Sequence, residues 1–352
     1  PVVDLGDGDH LVDLTRGPTA AFKDGGARCL AAALHALAPV ESGRTRTVLV
    51  ATSGDTGGAV AAAFHGVPGL RVVVLFPADG VSPRQRRQFT SLGADVTALG
   101  VDGPFDACQR LVKEALGESE LRDRHLLTSA NSINVGRLLP QATWFVKALS
   151  DLGPAGGPPT FVVPSGNLGH LTAGLLADAL VGAGARFVGA VNDNDAFAAW
   201  LQGRPRSREG TVATPSTAMD VGRPSNLERV EALVARDPTL RGRLGAEWVD
   251  AGETLDEMRR RHRDEGRFVD PHTAVGLAAL RRLRARGALT GPAVVLSTAD
   301  PGKFPDTVRR ATGVEPPVPA ALADLDTREE RWAPLAPTMG ALAAVLERLA
   351  AP

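Results

Sequence analysis

The sequence predicts an α/β protein with open, mostly parallel sheets and helices on both sheet faces. Three observations predict it. Short β-branched apolar runs recur along the chain, Ala- and Leu-rich helical stretches separate them, and two of the runs lead into glycine-rich turns that open helices. At 352 residues the chain can bury a sizeable core, in one large domain or in two. Hydrophobic residues make up 43% and charged residues 22%, the balance of an ordinary globular enzyme.

In chain order the expected strands are TVLVAT (47–52), RVVVLF (71–76), DVTALG (95–100), TFVVP (160–164), RFVGAV (186–191) and AVVLS (293–297). Helical patterns stand between them at AVAAAFHG (59–66), DACQRLVKEAL (106–116) and LTAGLLADALVGAG (171–184). Strands separated by helices form βαβ units, whose strands run parallel and are buried on both faces. SDLGPAGGPP (150–159) reads as a loop, and EPPVPA (315–320) as the start of a C-terminal tail. That tail ends in a helical stretch, GALAAVLERLA (340–350), expected to cover the larger domain. RRRHR (259–263) lies in a helical pattern and reads as a solvated face, and no tandem repeat is present.

The formal net charge of -1 provides no global field for nucleic acid or an anionic membrane. No apolar stretch approaches the roughly 18 residues of a membrane span. No basic-then-apolar leader precedes the first elements, so a cytoplasmic location is expected. The chain begins with Pro1, so a preceding N-terminal part is expected. Cys29 and Cys108 are isolated, without a CxxC or a His cluster, so neither disulfides nor a metal site is expected.

Two strand–turn–helix loops carry the chemistry. They are LVATSGDTGGAV (49–60) and FVVPSGNLGHLTAG (161–174), each a Ser-Gly-polar-x-Gly turn at a strand's carboxyl end. Such a turn directs backbone N–H groups and a positive helix end at a bound anion. Two of them suit a ligand with two anionic groups. The third feature is Lys23 in GPTAAFKDGG (17–26). Only Lys23, Lys113, Lys147 and Lys303 are lysines, although Lys and Arg total 39. Arginine fills almost every ordinary cationic position, and only lysine can lose its proton and attack a carbonyl. At this point two readings of Lys23 stand: a surface lysine after a turn, or an amine kept for Schiff-base chemistry. Pyridoxal 5'-phosphate would use all three features: its aldehyde the lysine, its phosphate one loop, and the substrate carboxylate the other.

The chain resembles the pyridoxal-phosphate-dependent threonine synthases of enteric bacteria and fungi. The resemblance runs from about residue 13 to about 312, through GPTAAFKD, ATSGDTGGAV, SPRQRRQF, DGPFDACQ, SANSINVGRLLPQ, PSGNLGHLTAG, STAMDV, DPHTAV and STADPGKF in family order. It implies a two-lobed tryptophan-synthase-β-like fold (fold type II), with a smaller α/β domain at 44–140 and a larger cofactor-binding domain from 1–43 and 141–352. It implies that the active site lies between the lobes. Carried over by position, Lys23 is the Schiff-base lysine, and Gly166, Asn167, Leu168, Gly169 and His170 form the cofactor phosphate cup. Asp55 lies near the cofactor's 3′ oxygen. Thr298 faces the pyridine nitrogen, where a hydroxyl withdraws electrons more gently than a carboxylate would. Thr52, Ser53, Gly54 and Thr56 hold substrate, and Asn131, Ser132 and Arg137 grip its phosphate. Read without the family, Asn131 and Ser132 could equally cap a helix while Arg137 pairs with a surface acid.

The reaction so implied is γ-elimination and β-addition: O-phospho-L-homoserine and water become L-threonine and phosphate, with Lys23 carrying the protons. The implied partner is a small amino-acid phosphate, with no nucleic acid or membrane, the chain acting as monomer or homodimer.

Several residues depart from the family pattern: Arg16 replaces a histidine, His170 an acid, and Asp300 a histidine. Either the changes are independent, or His170 and Asp300 face each other across the cofactor with exchanged roles. The departures keep open an alternative, a threonine-synthase-like enzyme of specialised metabolism acting on another phosphorylated or activated amino acid. A paralogue that binds cofactor without turnover is the non-enzymatic alternative, opposed by the retention of Lys23, both loops and Thr298.

Overall fold

The structure is a computed structural model that describes residues 1–37, 43–153, 157–205 and 210–350. Its strands, in chain order, are β1 (Val2–Gly6), β2 (Asp9–Asp13), β3 (Arg46–Ala51), β4 (Leu70–Pro77), β5 (Val96–Val101), β6 (Thr128–Ser129), β7 (Thr160–Pro164), β8 (Arg186–Val191), β9 (Leu244–Trp248), β10 (Ala293–Ser297) and β11 (Ala333–Leu335). They form two sheets, in two compact units.

The first unit comprises Pro1–Phe22 and Leu138–Pro319. Its sheet runs β1-β2-β10-β7-β8-β9, and only the β1–β2 pair is antiparallel. Successive residues of a strand face opposite sides, so one strand feeds two apolar layers. Phe161, Val163, Val294 and Leu296 enter one layer, while Val162 and Val295 enter the other. The expected α/β class, with parallel strands covered on both faces, is what the sheets show.

The second unit comprises Lys23–Arg137 and Ala320–Pro352. Its sheet, β11-β5-β4-β3-β6, is parallel throughout. Val48, Val50, Val72 and Val74 fill one side, and Leu49, Ala51, Val73 and Leu75 fill the other. The unit's limits differ from the expected 44–140 at both ends. The helix Lys23–Leu37 joins it because Ala27, Leu30 and Ala31 pack in the layer that holds Val48 and Val50. The C-terminal tail joins it, instead of covering the larger unit, because β11 pairs with β5 and Leu342 and Leu346 pack beside Leu49 and Leu111.

Two smaller expectations also change. The helix Val135–Leu152 extends into the stretch read as a loop, whose residues 154–156 lie outside the described residues. In the RRRHR run Arg259 and Arg263 are exposed, but Arg261 is buried and binds the buried Glu257 at 2.9 Å. Among the described residues no helix is long and apolar enough to cross a membrane.

Candidate active site

In the second unit, β3 delivers the TSGDTG turn. Thr52 is buried, and its Oγ1 accepts from the N–H groups of Gly54 at 2.9 Å and Gly57 at 2.7 Å. It therefore knots the turn, whereas Ser53 and Thr56 stay half-buried at its surface. Gly54 takes φ 137°, a conformation open to glycine. A Cβ there would also fall 2.4 Å from Gln85 Nε2. The helix Asp55–Phe64 follows at once, which places the Asp55 carboxylate at a positive helix end.

Asp55 is buried beside Gln85 and Lys23. Its Oδ1 accepts from Gln85 Nε2 at 2.9 Å, and its Oδ2 lies 3.6 Å from Lys23 Nζ. The Lys23 side chain, 17% exposed, opens the helix Lys23–Leu37. The other lysines are placed differently. Lys113 is exposed, and Lys147 is exposed and paired with Asp151 along its helix. Lys303 is 0% exposed and donates to the Thr19 carbonyl at 2.9 Å.

Arg137 is 2% exposed and donates to the Ala130 carbonyl at 2.6 Å. Burial pulls its pKa down to about 10 against the opposing charge of Asp24, so the guanidinium stays cationic at neutral pH. A surface ion pair is thereby excluded. The helix that follows is capped by Asn134, whose Oδ1 accepts from Gly136 N at 3.0 Å. Asn131 bonds Ala51 in both directions, at 2.9 and 2.6 Å, which extends the edge of β3 by side-chain bonds. These bonds shape the turn, and Ser132 stays half-buried beside it.

In the first unit, β7 leads into the SGNLG turn. Gly166 is pressed against Met219, whose Cα would lie 2.6 Å from an added Cβ, so only glycine fits. Asn167 accepts from Ser225 N at 2.5 Å through Oδ1 and from Asn226 Nδ2 at 2.9 Å through its carbonyl. Leu168, with φ 60°, turns the chain into the helix Gly169–Val181. That helix begins its own bonding with Thr172 N to the Leu168 carbonyl at 2.9 Å, and its positive end favours an anion.

Thr298 ends β10. Its carbonyl accepts from the N–H of Phe22, the residue before Lys23, at 2.9 Å. Asp300 N donates to the Ala20 carbonyl at 3.0 Å, and Ala21 bridges Ala299. With the Lys303 bond to Thr19, these contacts stitch segment 19–22 along segment 298–303.

Of the two readings of His170 and Asp300, the structure favours independent changes, since the two side chains have separate partners. His170 Nδ1 lies 3.1 Å from Gln141 Oε1, and the ring packs against Phe22, Phe145 and Trp144. Asp300 instead caps a turn by accepting from Gly302 N at 2.8 Å. Burial raises its pKa, and neighbouring Asp270 and Asp13 act in the same direction. Three residues outside the expected site belong to these frameworks: Gln85, Lys303 and His272. His272 Nδ1 meets Asp270 Oδ1 at 2.7 Å and its Nε2 accepts from Ala218 N at 3.0 Å, which braces the turn lying on Gly166.

Comparison with known proteins agrees with this architecture. Residues 11–299 match the family described as pyridoxal-phosphate dependent enzyme, which sets the class. Residues 273–346 match the family described as threonine synthase, C-terminal. The threonine synthase of Serratia marcescens is 42% identical over 324 residues, covering 92% of this chain and 74% of that one. The crystal structure of threonine synthase from Escherichia coli superposes with a TM-score of 0.92 at 38% identity, covering 99% of this chain and 80% of that one. The pyridoxal-phosphate-bound threonine synthase from Brucella melitensis gives 0.86 at 33% identity, covering 100% and 81%. The chain belongs to the threonine synthase family.

Proposed function

We infer that the chain is a pyridoxal-phosphate-dependent threonine synthase, converting O-phospho-L-homoserine and water to L-threonine and phosphate. The observation that carries the reading is the Lys23 amine held 3.6 Å from the buried Asp55 carboxylate at the head of the SGDTG turn.

The residues present fit the cofactor. Lys23 is the lysine with a partly exposed amine beside a buried acid. The SGNLG turn offers the N–H groups of a helix start to a phosphate. When bound, pyridoxal phosphate supplies an aldehyde for the substrate amine and an electron-accepting ring for charge developing at Cα.

The chain's own residues then divide the work. Lys23 Nζ takes and returns protons at Cα and Cβ of the substrate, which requires that it pass between charged and neutral forms. Asp55 orients that amine. Ser53 and Thr56, at the surface of the turn, hold the substrate carboxylate, while Thr52 and Asn131 keep the turn in shape. Arg137 and Ser132 grip the departing phosphate, and the buried fixed cation suits a dianion. Gly166–His170 hold the cofactor phosphate, with His170 acting from behind through packing, and Thr298 faces the pyridine nitrogen. The substrate is an amino-acid phosphate, and we place the enzyme in the cytoplasm as a monomer or homodimer.

The test is incubation of the cofactor-loaded chain with O-phosphohomoserine, following phosphate and threonine together in equal amounts. Phosphate release without threonine would overturn the assignment.

A further inference from the structure

Gln85 is 0% exposed, although its stretch, SPRQRRQF, consists mostly of polar and cationic residues. Ser82 caps the helix Pro83–Thr90 by accepting from Gln85 N at 3.3 Å. Arg84 and Arg86, on the two flanks of that helix, bind Asp326 at 2.7 Å and Glu330 at 2.8 Å. The helix is therefore held at both flanks, and the buried Gln85 between them is directed inward. Its carboxamide lies tight under Gly54, where any Cβ would come within 2.4–2.6 Å of it. Its orientation is asymmetric. Nε2 donates to Asp55 Oδ1 at 2.9 Å, while Oε1 accepts nothing among the described residues.

A carboxylate on a short side chain can rotate, and either oxygen could face the lysine. The amide donor removes that freedom by occupying Oδ1, so Oδ2 is the oxygen 3.6 Å from Lys23 Nζ. A space-filling residue would not need a donor on that side, nor leave an acceptor buried without a partner. We infer that Gln85 is a positioning residue for the Lys23–Asp55 pair, holding the carboxylate so that one oxygen is kept for the lysine amine. This rests on the reading of Lys23 as the reactive lysine.

The test uses Gln85→Leu, which keeps length without a donor, and Gln85→Glu, which keeps shape and adds an ionisable group. The first readout is the pH profile of Lys23 acylation by acetic anhydride in the cofactor-free chain, located by peptide mass analysis. In Gln85→Leu the loosened carboxylate stabilises the charged amine less, and the labelling midpoint falls by about one pH unit. In Gln85→Glu a second carboxylate beside Asp55 raises the midpoint by a similar amount. The second readout is turnover by the loaded enzyme, where Gln85→Leu lowers kcat about tenfold or more with KM little changed.

Unchanged labelling midpoints in folded variants overturn the inference, and an unchanged midpoint in Gln85→Glu suffices if Gln85→Leu does not fold. Borohydride reduction of the wild-type enzyme separates the two levels. Cofactor fixed to a lysine other than Lys23 sinks the reading of the site, whereas cofactor on Lys23 with unmoved midpoints sinks only the role of Gln85.

Discussion

Replacing Arg137 by methionine removes a cation while keeping an unbranched chain in a site that is 2% exposed. Two losses follow. The Ala130 carbonyl loses the donor 2.6 Å away, which costs about 1–3 kcal/mol of stability for a buried group left unpaired. The substrate phosphate loses a charge-assisted hydrogen bond worth about 1.5–3 kcal/mol, or about ten- to a hundredfold in kcat/KM. Because burial brings the pKa only down to about 10, the native guanidinium is charged throughout the assay range, and the loss is the same from pH 6 to 8. The assay measures kcat/KM with O-phosphohomoserine, inhibition by inorganic phosphate, and the dissociation constant of pyridoxal phosphate. The first two weaken together by about tenfold or more, while the third moves by less than about threefold. Arg137→Lys falls between the wild type and Arg137→Met, because a point charge lacks the planar two-pronged donor. A folded Arg137→Met enzyme with unaltered kcat/KM and phosphate inhibition would refute the phosphate grip.

Lys23→Ala abolishes turnover and the fixation of cofactor by borohydride, while the same change at exposed Lys113 or Lys147 leaves both intact; fixation surviving in Lys23→Ala would sink the assignment. Lys303→Met leaves fixation at Lys23 but lowers stability by about 1.5–3 kcal/mol, since the Thr19 carbonyl loses a charged, fully buried donor. A variant as stable as the wild type in urea unfolding would contradict the stitching of segment 19–22. The swap of His170→Asp with Asp300→His shows no rescue, and its double-mutant coupling stays within about 0.5 kcal/mol, since the two side chains have separate partners. Recovered activity in the double variant would restore the exchanged-pair idea.

The residues that could be read in advance are those whose pattern is local. All six β-branched runs became strands, and both glycine turns open helices where the strand–turn–helix spacing put them. What stayed hidden depends on distant partners. β6 and β11, two and three residues long, exist only as additions to β3 and β5. β9, LGAEW, has no β-branched residue and takes its strand form from pairing with β8. An apolar helix at 340–350 announces burial but not against what, and its leucines chose the second unit. Gln85 reads as solvated among arginines, because its burial is decided by Gly54, about thirty positions away. Asp300 could have been read better, since Asp-Pro-Gly is a turn signature in which the carboxylate binds the N–H two residues on. Family order placed it near the cofactor but carried no information on where its side chain points.

The turn that lies on Gly166 carries a pH effect on stability. Asp220 is buried and pushed up to about 6, chiefly by that burial, against the pull of donors from Thr214 and Asn192 and of the nearby His272. Asn192 Nδ2 lies at 2.9 Å, Thr214 N at 2.9 Å and Thr214 Oγ1 at 2.7 Å, yet desolvation outweighs them. Between the ordinary value of 3.8 and about 6 the folded chain holds a proton that the unfolded chain has released. The contribution to stability is therefore fully present below about pH 4 and is lost as pH rises through about 6. At 1.36 kcal/mol per pH unit the difference reaches at most about 3 kcal/mol. Asp220→Asn cannot ionise, so it gains on the wild type as pH rises. Urea unfolding midpoints of the two proteins, measured from pH 4.5 to 8, should converge or cross in the direction of the variant, with the change centred between about 5 and 6. The other titrating groups are common to both chains and cancel in the difference. A gap between the two midpoints that stays constant over this range would mean that Asp220 remains ionised in the fold, its donors having outweighed its burial.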